Sequence, residues 1–335
     1  MSKKKKVWIT VLVVVLALLI IPRIFTVFHK SNPENVVKTN SENQYISDEV
    51  LVSAHRSGAG IMPEETMMAF KNCVENKDFH TDIFEFDLHI TKDDILVLLH
   101  DHTLERTSDC EEVLGDKKAR PEDYTYEELR QLNMGHKFET EDGEMPYKDL
   151  KGKSVPDDLK IARVEDVLDY LTSKGDFKYI IEIKNDGELG CKGVDILYNI
   201  LEERDLIDKT IFGTFHQEVS YYVDENYPNF KRSATIKEVL KFYISALIDK
   251  DDFEAKYVAL QIPYGTLYNV LGVNTGWTTI TNYAHKNDIA VQYWTINNEK
   301  DMKYLSTIGA DCIMSDYPNK TYEIVHGNEM PEKED

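Results

Sequence analysis

The stretch that decides the fold reads VSAHRSGAGIMPEETMMAF over residues 52–70 and IFEFDLHITKDDILVLLHDHTLERTSD over 83–109. The first predicted strand in it ends at the pair His55-Arg56. The second carries Glu85 and Asp87, and alternation places both acids on one face of that strand. An apolar strand rarely has two acids on one face unless a cation or strong hydrogen-bond donors lie opposite. The pattern therefore predicts a polar site at the ends of neighbouring strands.

A tight turn extends this prediction to a second imidazole. The run Thr91-Lys92-Asp93-Asp94 joins the strand at 83–90 to a third apolar strand at 95–99, which is followed by His100 and Asp101. A connection this short forces the two strands to pair antiparallel. We therefore expect Glu85 to lie near His100.

Helical and strand patterns alternate along the rest of the chain. The predicted strands span 50–54, 83–90, 95–99, 179–183, 210–215, 233–236, 257–262, 289–295 and 312–314. The predicted helices span 66–75, 126–132, 164–171, 193–204, 239–248, 278–286 and 302–308. Such alternation is typical of a parallel sheet with helices packed outside it.

The choice within this class is between a closed barrel and an open doubly wound sheet. A closed barrel needs eight strands, and the ninth candidate is the hairpin partner at 95–99. An open sheet usually has a glycine-rich G-x-G-x-x-G turn after its first strand, which the run Ser57-Gly58-Ala59-Gly60 does not match. The polar residues also lie at the carboxyl ends of their strands or in the hairpin, and barrels carry catalytic groups at the carboxyl ends of their strands. The sequence thus predicts an α/β fold of the (β/α)8 TIM-barrel class.

The N-terminus predicts a membrane segment. Four lysines at 3–6 precede an apolar run at 7–21, and a span is long enough only if it continues through Arg23 to Phe28. A cleaved signal peptide is the alternative, but no small-x-small cleavage site follows the apolar run. The pattern favours a single uncleaved transmembrane helix. The lysines would stay inside, which places the folded domain on the extracytoplasmic side of the cell membrane.

These patterns predict four regions. They are a membrane anchor at 1–28, a polar tether at 29–48, the barrel at 49–320 and an acidic flexible tail at 321–335. The barrel contains a charged, irregular loop excursion at about 105–160, on the side where barrel loops carry specificity.

Composition excludes some partners. The 335-residue chain has a formal net charge of −21, which disfavours nucleic acid as a partner and is compatible with cation binding. The four cysteines, Cys73, Cys110, Cys191 and Cys312, lack the paired spacing of a metal site. Their disulfide state and the oligomeric state of the chain do not follow from the sequence.

Several segments together resemble the glycerophosphodiester phosphodiesterase family. The resemblance runs from about Leu51 to Pro318 and is carried by six motifs in the family's order. They are His55-Arg56-Ser57-Gly58, Pro63-Glu64-Glu65-Thr66, Glu85-Phe86-Asp87, His100-Asp101, Glu182-Ile183-Lys184 and Trp294-Thr295-Ile296-Asn297. The resemblance implies a hydrolase that cleaves glycerophosphodiesters, small or lipid-derived, to glycerol 3-phosphate and an alcohol.

The resemblance also implies roles for individual residues. His55 and His100 would be the catalytic acid and base, a role that suits imidazole because its pKa lies near neutral pH. Arg56 and Lys184 would bind the phosphate. The supporting residues would be Glu64, which orients Arg56 or contacts the metal, and Trp294, which forms a wall of the site or packs in the core.

Glu85, Asp87 and Glu182 form an all-oxygen set that suits one divalent cation, Ca²⁺ or Mg²⁺. In the resembling family the matching positions hold such a metal. The alternative is that these acids only form salt bridges with Arg56 and Lys184. Three carboxylates against two cationic side chains leave one acid in excess, which favours the metal.

The chain departs from the family motifs at three positions. Ser57 and Glu65 stand where the family has glycine and asparagine, and His102 stands where it has proline. We expect Glu65 to add a negative charge beside the anionic substrate.

Two other functions remain open: a metal-independent phosphoinositide-cleaving lipase with a similar barrel, and a catalytically inactive barrel that binds lipid head groups or an envelope polymer. An envelope polymer or a lysophospholipid also remains open as the substrate.

Overall fold

The computed structural model of the chain describes residues 31–37, 41–265 and 274–327. The predicted anchor at 1–28 lies outside the described residues. Within the described ranges, no helix is both long enough and apolar enough to cross a membrane.

Eight strands and eight helices of more than one turn make up the described fold. The strands are β1 (Leu51–Ala54), β2 (Ile83–Ile90), β3 (Leu96–Leu98), β4 (Lys178–Ile183), β5 (Thr210–Gly213), β6 (Ala259–Pro263), β7 (Ala290–Trp294) and β8 (Cys312–Ser315). The helices are α1 (Met67–Glu75), α2 (Val164–Thr172), α3 (Gly187–Glu202), α4 (Gln217–Asn226), α5 (Ile236–Leu247), α6 (Thr278–Lys286), α7 (Glu299–Thr307) and α8 (Pro318–His326). The alternation predicted from the sequence is therefore present, with α4 and α8 as helices that the pattern missed.

Seven parallel strands form a nearly closed barrel. Their order around the sheet is β5-β4-β2-β1-β8-β7-β6, and β3 pairs antiparallel with β2 outside this path. The predicted hairpin and the supernumerary position of its second strand are thus confirmed. All eight residues of β2 are buried, because one face packs against helices and the other lines the barrel.

The gap between β5 and β6 is bridged by two residues. Parallel bridges join Phe212 to Arg232 and Ser233 to Ala259. The sequence predicted a longer strand at 233–236, but Thr235 caps α5 through a reciprocal capping box with Glu238. The helix therefore begins where the strand was expected to continue.

The barrel interior is filled from the bottom by small and branched side chains. One layer consists of Ile83, Ile180, Ile211, Ala259, Ala290 and Cys312, and Tyr45 packs against it. Tyr45 is fully buried, although it belongs to the segment predicted as a polar tether. The described part of that segment packs on the barrel, as Asn43 also shows by donating hydrogen bonds to the carbonyl oxygens of Val258 and Asp288.

The C-terminal boundary also differs from the prediction. The segment from 321 was expected to be a flexible tail, but α8 continues to His326 and buries Thr321 and Tyr322.

The excursion at about 105–160 packs against the barrel through apolar side chains. Its side chains form a separate apolar cluster with β3 that includes Leu104, Leu129, Leu132, Met134 and Ile161.

Arg232 joins the two helices on either side of the gap. It is 1% exposed and forms bidentate ion pairs with Asp224 of α4, at 2.7 and 2.9 Å, and with Glu238 of α5, at 2.8 and 2.9 Å. We expect Arg232→Met to lower the free energy of unfolding by about 3 kcal/mol, because it leaves two half-buried carboxylates unpaired. Urea unfolding measures this change.

Arg204 provides the matched control for that substitution. It pairs at 2.7 Å with Asp169, which is largely exposed, so Arg204→Met should cost about 1 kcal/mol or less. Equal losses for the two variants would show that Arg232 does not hold the gap together.

His285 gives the fold a predicted dependence on pH. Its Nε2 lies 2.9 Å from Oδ2 of buried Asp311. Burial opposes protonation, but the hydrogen bond and charge of Asp311 outweigh it and raise the pKa of His285 above its usual 6.5. A raised pKa in the folded state means that this pair stabilises the fold below about pH 6.5 and stops doing so as the pH rises through the folded-state pKa.

The free energy of unfolding should therefore fall as the pH rises from about 6.5 through the folded-state pKa of His285, and less so in His285→Gln. Denaturation at several pH values measures both slopes. The assignment would be refuted by identical slopes in the two proteins.

Candidate active site

Seven of the nine predicted site residues line one cavity at the carboxyl ends of the barrel strands, and Arg56 and Trp294 are among them. Lys184 and Glu64 are not in its lining, although they contact Asp87 and Arg56, which are. The cavity has a volume of about 400 Å³. Five of the polar side chains that line it are His55, Glu85, Asp87, His100 and Glu182. Strand parity explains the meeting, since Glu85 and Asp87 share the inner face of β2 and Asp87 is paired in register with Glu182 of β4.

His55 follows β1 and is held by an acid that follows the neighbouring strand β8. Its Nδ1 lies 2.6 Å from Oδ1 of Asp316, while its Nε2 lies 4.0 Å from Oε2 of Glu85 and 3.3 Å from Oγ1 of Thr295. Burial opposes protonation, yet the charge of Glu85 and the hydrogen bond to Asp316 raise the pKa of His55. Asp316 in turn accepts a hydrogen bond of 2.6 Å from the Asn297 amide. The imidazole is therefore fixed with Nε2 toward the cavity.

His100 is oriented in a similar way by its chain neighbour. Its Nδ1 lies 2.7 Å from Oδ1 of Asp101. Arg106 donates to Asp101 at 2.6 Å and to both oxygens of Glu64 at 2.6 and 2.7 Å. The His100 bond, followed by the Arg106 contacts, lowers the pKa of Asp101. Glu64 thus has Arg106 as its close partner, and its contact with Arg56 is longer, at 3.5 Å.

Lys184 lies between two of the acids. Its Nζ is 3.0 Å from Oε1 of Glu182 and 3.3 Å from Oδ1 of Asp87. Burial and the nearby charge of Asp87 raise the pKa of Glu182, although Lys184 opposes this. Burial also raises the pKa of Glu85, to which the charge of Asp87 adds. The three carboxyl groups of Glu85, Asp87 and Glu182 therefore outnumber the two cationic side chains beside them, those of Arg56 and Lys184.

Whether these acids suit a metal ion depends on what their oxygen atoms already contact. Within residues 31–37, 41–265 and 274–327, no three His, Cys, Asp or Glu side chains are gathered as ligands around one point. Asp87 Oδ2, however, is buried and has no hydrogen-bond partner, and Arg56 Nε lies 4.0 Å from it. A buried oxygen without a partner next to further carboxylates suits a hard cation. The donor set of Glu85, Asp87 and Glu182 therefore fits Ca²⁺ or Mg²⁺ in its chemistry.

Arg56 occupies an unusual backbone position. Arg56 and Ser57 have φ values of 48° and 57°, and the Arg56 N–H donates to Oε2 of Glu85 at 2.8 Å. Nε of Arg56 is buried without a hydrogen-bond partner. The positive φ explains why glycine suits position 57, because a β-carbon is disfavoured there. Ser57 adopts this backbone conformation although its β-carbon makes it less favourable than for glycine.

Glu65 differs from what the sequence led us to expect. It is buried behind Asp87, and its Oε1 accepts a hydrogen bond of 2.7 Å from the Asp87 N–H. Burial, followed by the charges of Asp87 and Glu64, raises the pKa of Glu65 well above its usual value. Its carboxyl group therefore favours the neutral form and does not add the expected charge beside the substrate. His102 packs edge-on against buried His89, with ring centroids 5.7 Å apart.

The other half of the cavity is apolar. Trp294 lines it and packs edge-on against Phe215, with ring centroids 6.0 Å apart. The same wall includes Ile180, Ile236, Val239, Ile262, Pro263 and Met314. The sequence left two positions open for Trp294, a wall of the site or the core, and its side chain lines the wall of the cavity.

Asp316, Arg106 and Thr295 are polar neighbours of the two histidines that sequence reasoning did not single out. Asp316 lies in the Ser315-Asp316-Tyr317-Pro318 segment that closes the family resemblance, so a signal for it was present. Nothing in the local pattern marks Arg106, because it lies in the charged excursion among many similar residues.

The fold and the cavity define an α/β-barrel protein whose polar cluster lies at the mouth of the barrel. The family model of the glycerophosphoryl diester phosphodiesterases matches residues 55–320. The chain therefore belongs to the glycerophosphodiester phosphodiesterase family, whose members are phosphoric diester hydrolases, and the resemblance seen in the motifs is confirmed.

Individual relatives agree with this assignment. The chain is 25% identical over 273 residues to a glycerophosphodiester phosphodiesterase of Bacillus altitudinis, covering 82% of this chain and 97% of that protein. It is 26% identical to one of Bacillus subtilis, covering 84% and 88%. Its fold is similar to that of a phosphodiesterase of Oleispira antarctica, solved in complex with the product sn-glycerol-3-phosphate. That match has a TM-score of 0.61, 19% identity, and coverage of 84% of this chain and 99% of that one.

Proposed function

We propose that this chain hydrolyses glycerophosphodiesters to glycerol 3-phosphate and an alcohol, with His55 and His100 as the acid and the base. One observation carries the proposal. Each imidazole is held through Nδ1 by an aspartate, Asp316 or Asp101, and both histidines line the cavity that contains the carboxylates. An imidazole oriented in this way can accept and donate protons through Nε2, which in His55 also lies 3.3 Å from Oγ1 of Thr295.

Arg56 and Lys184 are proposed to bind the phosphate oxygens. Arg56 has a buried Nε without a partner, which an anionic oxygen would satisfy. Lys184 is already paired with Asp87 and Glu182, so it would contact phosphate only as part of that cluster. Members of the family generally use divalent cations. A cation held by Glu85, Asp87 and Glu182 would neutralise phosphate charge as a Lewis acid.

The proton transfers follow from these positions. One histidine accepts the proton of the attacking hydroxyl group as the new P–O bond forms, and the other donates a proton to the oxygen of the departing alcohol as its P–O bond breaks. The attacking hydroxyl group belongs either to water or to the glycerol of the substrate. In the second case a cyclic phosphate forms and water then opens it.

The cellular location remains part of the proposal. The N-terminal apolar segment would act as an uncleaved single-pass anchor, with the barrel on the extracytoplasmic side of the membrane. The substrate would then be an extracytoplasmic glycerophosphodiester, free or lipid-derived.

Product analysis tests the proposed reaction. The purified chain is incubated with glycerophosphocholine and Ca²⁺ or Mg²⁺, and the products are separated. Choline and glycerol 3-phosphate are expected. Release of phosphocholine instead, or no release at all, would refute the proposal.

A metal-independent phosphodiesterase with the same barrel is a second candidate, and the position of Lys184 favours it. Its ammonium group lies within 3.3 Å of both Asp87 and Glu182, so it neutralises part of the charge that a metal would neutralise. Activity that persists in excess EDTA would select this candidate over the first.

A further inference from the structure

The exposed apolar side chains of the described residues are concentrated in one part of the fold. Among all the described residues, eight large hydrophobic side chains are exposed, and six of these eight lie between residues 215 and 248. These six are Phe215, Tyr221, Ile236, Leu240, Ile244 and Ile248. A monomeric protein rarely exposes such a group of apolar residues without an interaction partner.

Four of these residues form a stripe along α5 and its C-terminal end. Ile236, Leu240, Ile244 and Ile248 recur every four residues and are 67%, 61%, 53% and 64% exposed. At 1.5 Å per residue the stripe is about 18 Å long. The opposite face of α5 already packs in the core through Phe242 and Ala246. The helix is thus apolar on two faces, and the described structure covers only one of them.

The stripe is continuous with the active-site cavity. Ile236 and Phe215 are exposed and also line the cavity, beside Val239 and Trp294. We call Phe215, Ile236, Leu240, Ile244 and Ile248 the apolar face. It connects the wall of the site with the outer surface of the protein.

The N-terminal segment enters the described fold at the same end of the barrel. Ser31, the first described residue, donates from Oγ to the carbonyl oxygen of Gly276 at 3.2 Å. The neighbouring residue Thr275 lines the cavity. Only two residues separate Ser31 from Phe28, where the proposed anchor ends, and this length of chain spans at most about 10 Å. An anchored chain would therefore hold the mouth of the cavity close to the bilayer.

We propose that the apolar face docks on the lipid bilayer and that the substrate is a membrane-resident lysophospholipid whose acyl chain lies along this face. The phosphodiester then reaches the polar half of the cavity while the acyl chain stays in apolar surroundings. This inference rests on the proposed phosphodiesterase function and on the proposed anchor. A bilayer fits the apolar face better than a second protein copy does, because the proposed anchor would place lipid beside this face.

Fluorescence quenching tests the docking directly. The full-length chain carrying Ile244→Trp is reconstituted in phosphatidylcholine vesicles, with and without brominated acyl chains. Subtracting the signal of the parent protein removes the contribution of its own tryptophans. The added tryptophan should be quenched by bromolipid, whereas the matched control Val113→Trp, at an exposed apolar site on the excursion, should not be.

A kinetic comparison tests the substrate assignment. Leu240→Asp combined with Ile244→Asp should lower kcat/KM for lysophosphatidylcholine in vesicles by at least about tenfold, because two apolar contacts with lipid are lost. Turnover of soluble glycerophosphocholine should be unchanged, since neither residue lines the cavity. Val113→Asp should change neither activity.

The possible outcomes separate this inference from the proposed function. A parent protein inactive on both substrates refutes the proposed function, and quenching at position 244 still reports on the docking. Absence of bromolipid quenching refutes the docking. If Ile244→Trp is not quenched and the parent is a dimer that Leu240→Asp dissociates, then a second copy covers the face and the inference is wrong. Equal losses on both substrates refute the lysophospholipid assignment.

Discussion

His55→Ala is expected to lower kcat for glycerophosphocholine hydrolysis by about 10²- to 10⁴-fold, the range lost when a general acid or base is removed. The side chain is held with Nδ1 on Asp316 and Nε2 facing the cavity, so its removal takes away a proton carrier that is already oriented. Alanine removes the imidazole and leaves the strand before it intact. The rate is measured as choline release under saturating substrate.

The control for this variant is His80→Ala. His80 is exposed and lies away from the cavity, so its removal should leave kcat unchanged. Circular dichroism and thermal unfolding of both variants separate a catalytic loss from a folding loss. A folded His55→Ala protein with parental kcat would remove His55 from the mechanism.

Removal of the divalent cation should have the second large effect on the rate of hydrolysis. Excess EDTA should lower glycerophosphocholine hydrolysis by at least about 100-fold, and Ca²⁺ or Mg²⁺ should restore it, because the cation supplies several kcal/mol of charge stabilisation in such sites. Without the ion, the phosphate would face the carboxylate cluster of Glu85, Asp87 and Glu182 directly.

Binding of Mn²⁺ as a probe, followed by electron paramagnetic resonance, tests the same site without relying on activity. The parent should bind one ion per chain, and Glu182→Gln should weaken binding by at least about tenfold because a charged oxygen ligand is lost. Glu203→Gln, on the exposed end of α3, should bind as the parent does. Equal Mn²⁺ affinity in parent and Glu182→Gln would exclude Glu182 as a ligand.

Local patterns predict the part of this fold that depends on periodicity. Alternation in β2 places Glu85 and Asp87 on the inner face, and the four-residue turn places β3 beside β2, so both features could be derived without knowing the tertiary structure. His55 follows a parallel strand, so the barrel class places it at the mouth of the barrel. His100 reaches the same mouth because β3 runs back antiparallel along the last residues of β2.

Features that depend on long-range packing could not be derived in this way. Nothing local distinguishes Tyr45 from other polar-segment residues, yet it packs below the inner layer of the barrel. The strand predicted at 233–236 was too long, because only Arg232 and Ser233 bridge the gap and Thr235 already caps α5. The position of Lys184 between Asp87 and Glu182 depends on the register of two strands whose paired residues are 95 positions apart in the chain. The burial of Glu65, which favours the neutral form of its carboxyl group, likewise could not be read from its position in the sequence.

The central claim is that two oriented imidazoles and a carboxylate-bound cation act on one phosphodiester at the mouth of the barrel. The most direct test follows glycerophosphocholine by ³¹P nuclear magnetic resonance with three samples: the parent protein with Mg²⁺ or Ca²⁺, the parent with EDTA, and His55→Ala with the same cation. We expect the glycerol 3-phosphate signal to grow only in the first sample. The same growth in all three samples, or in none of them, would contradict this account.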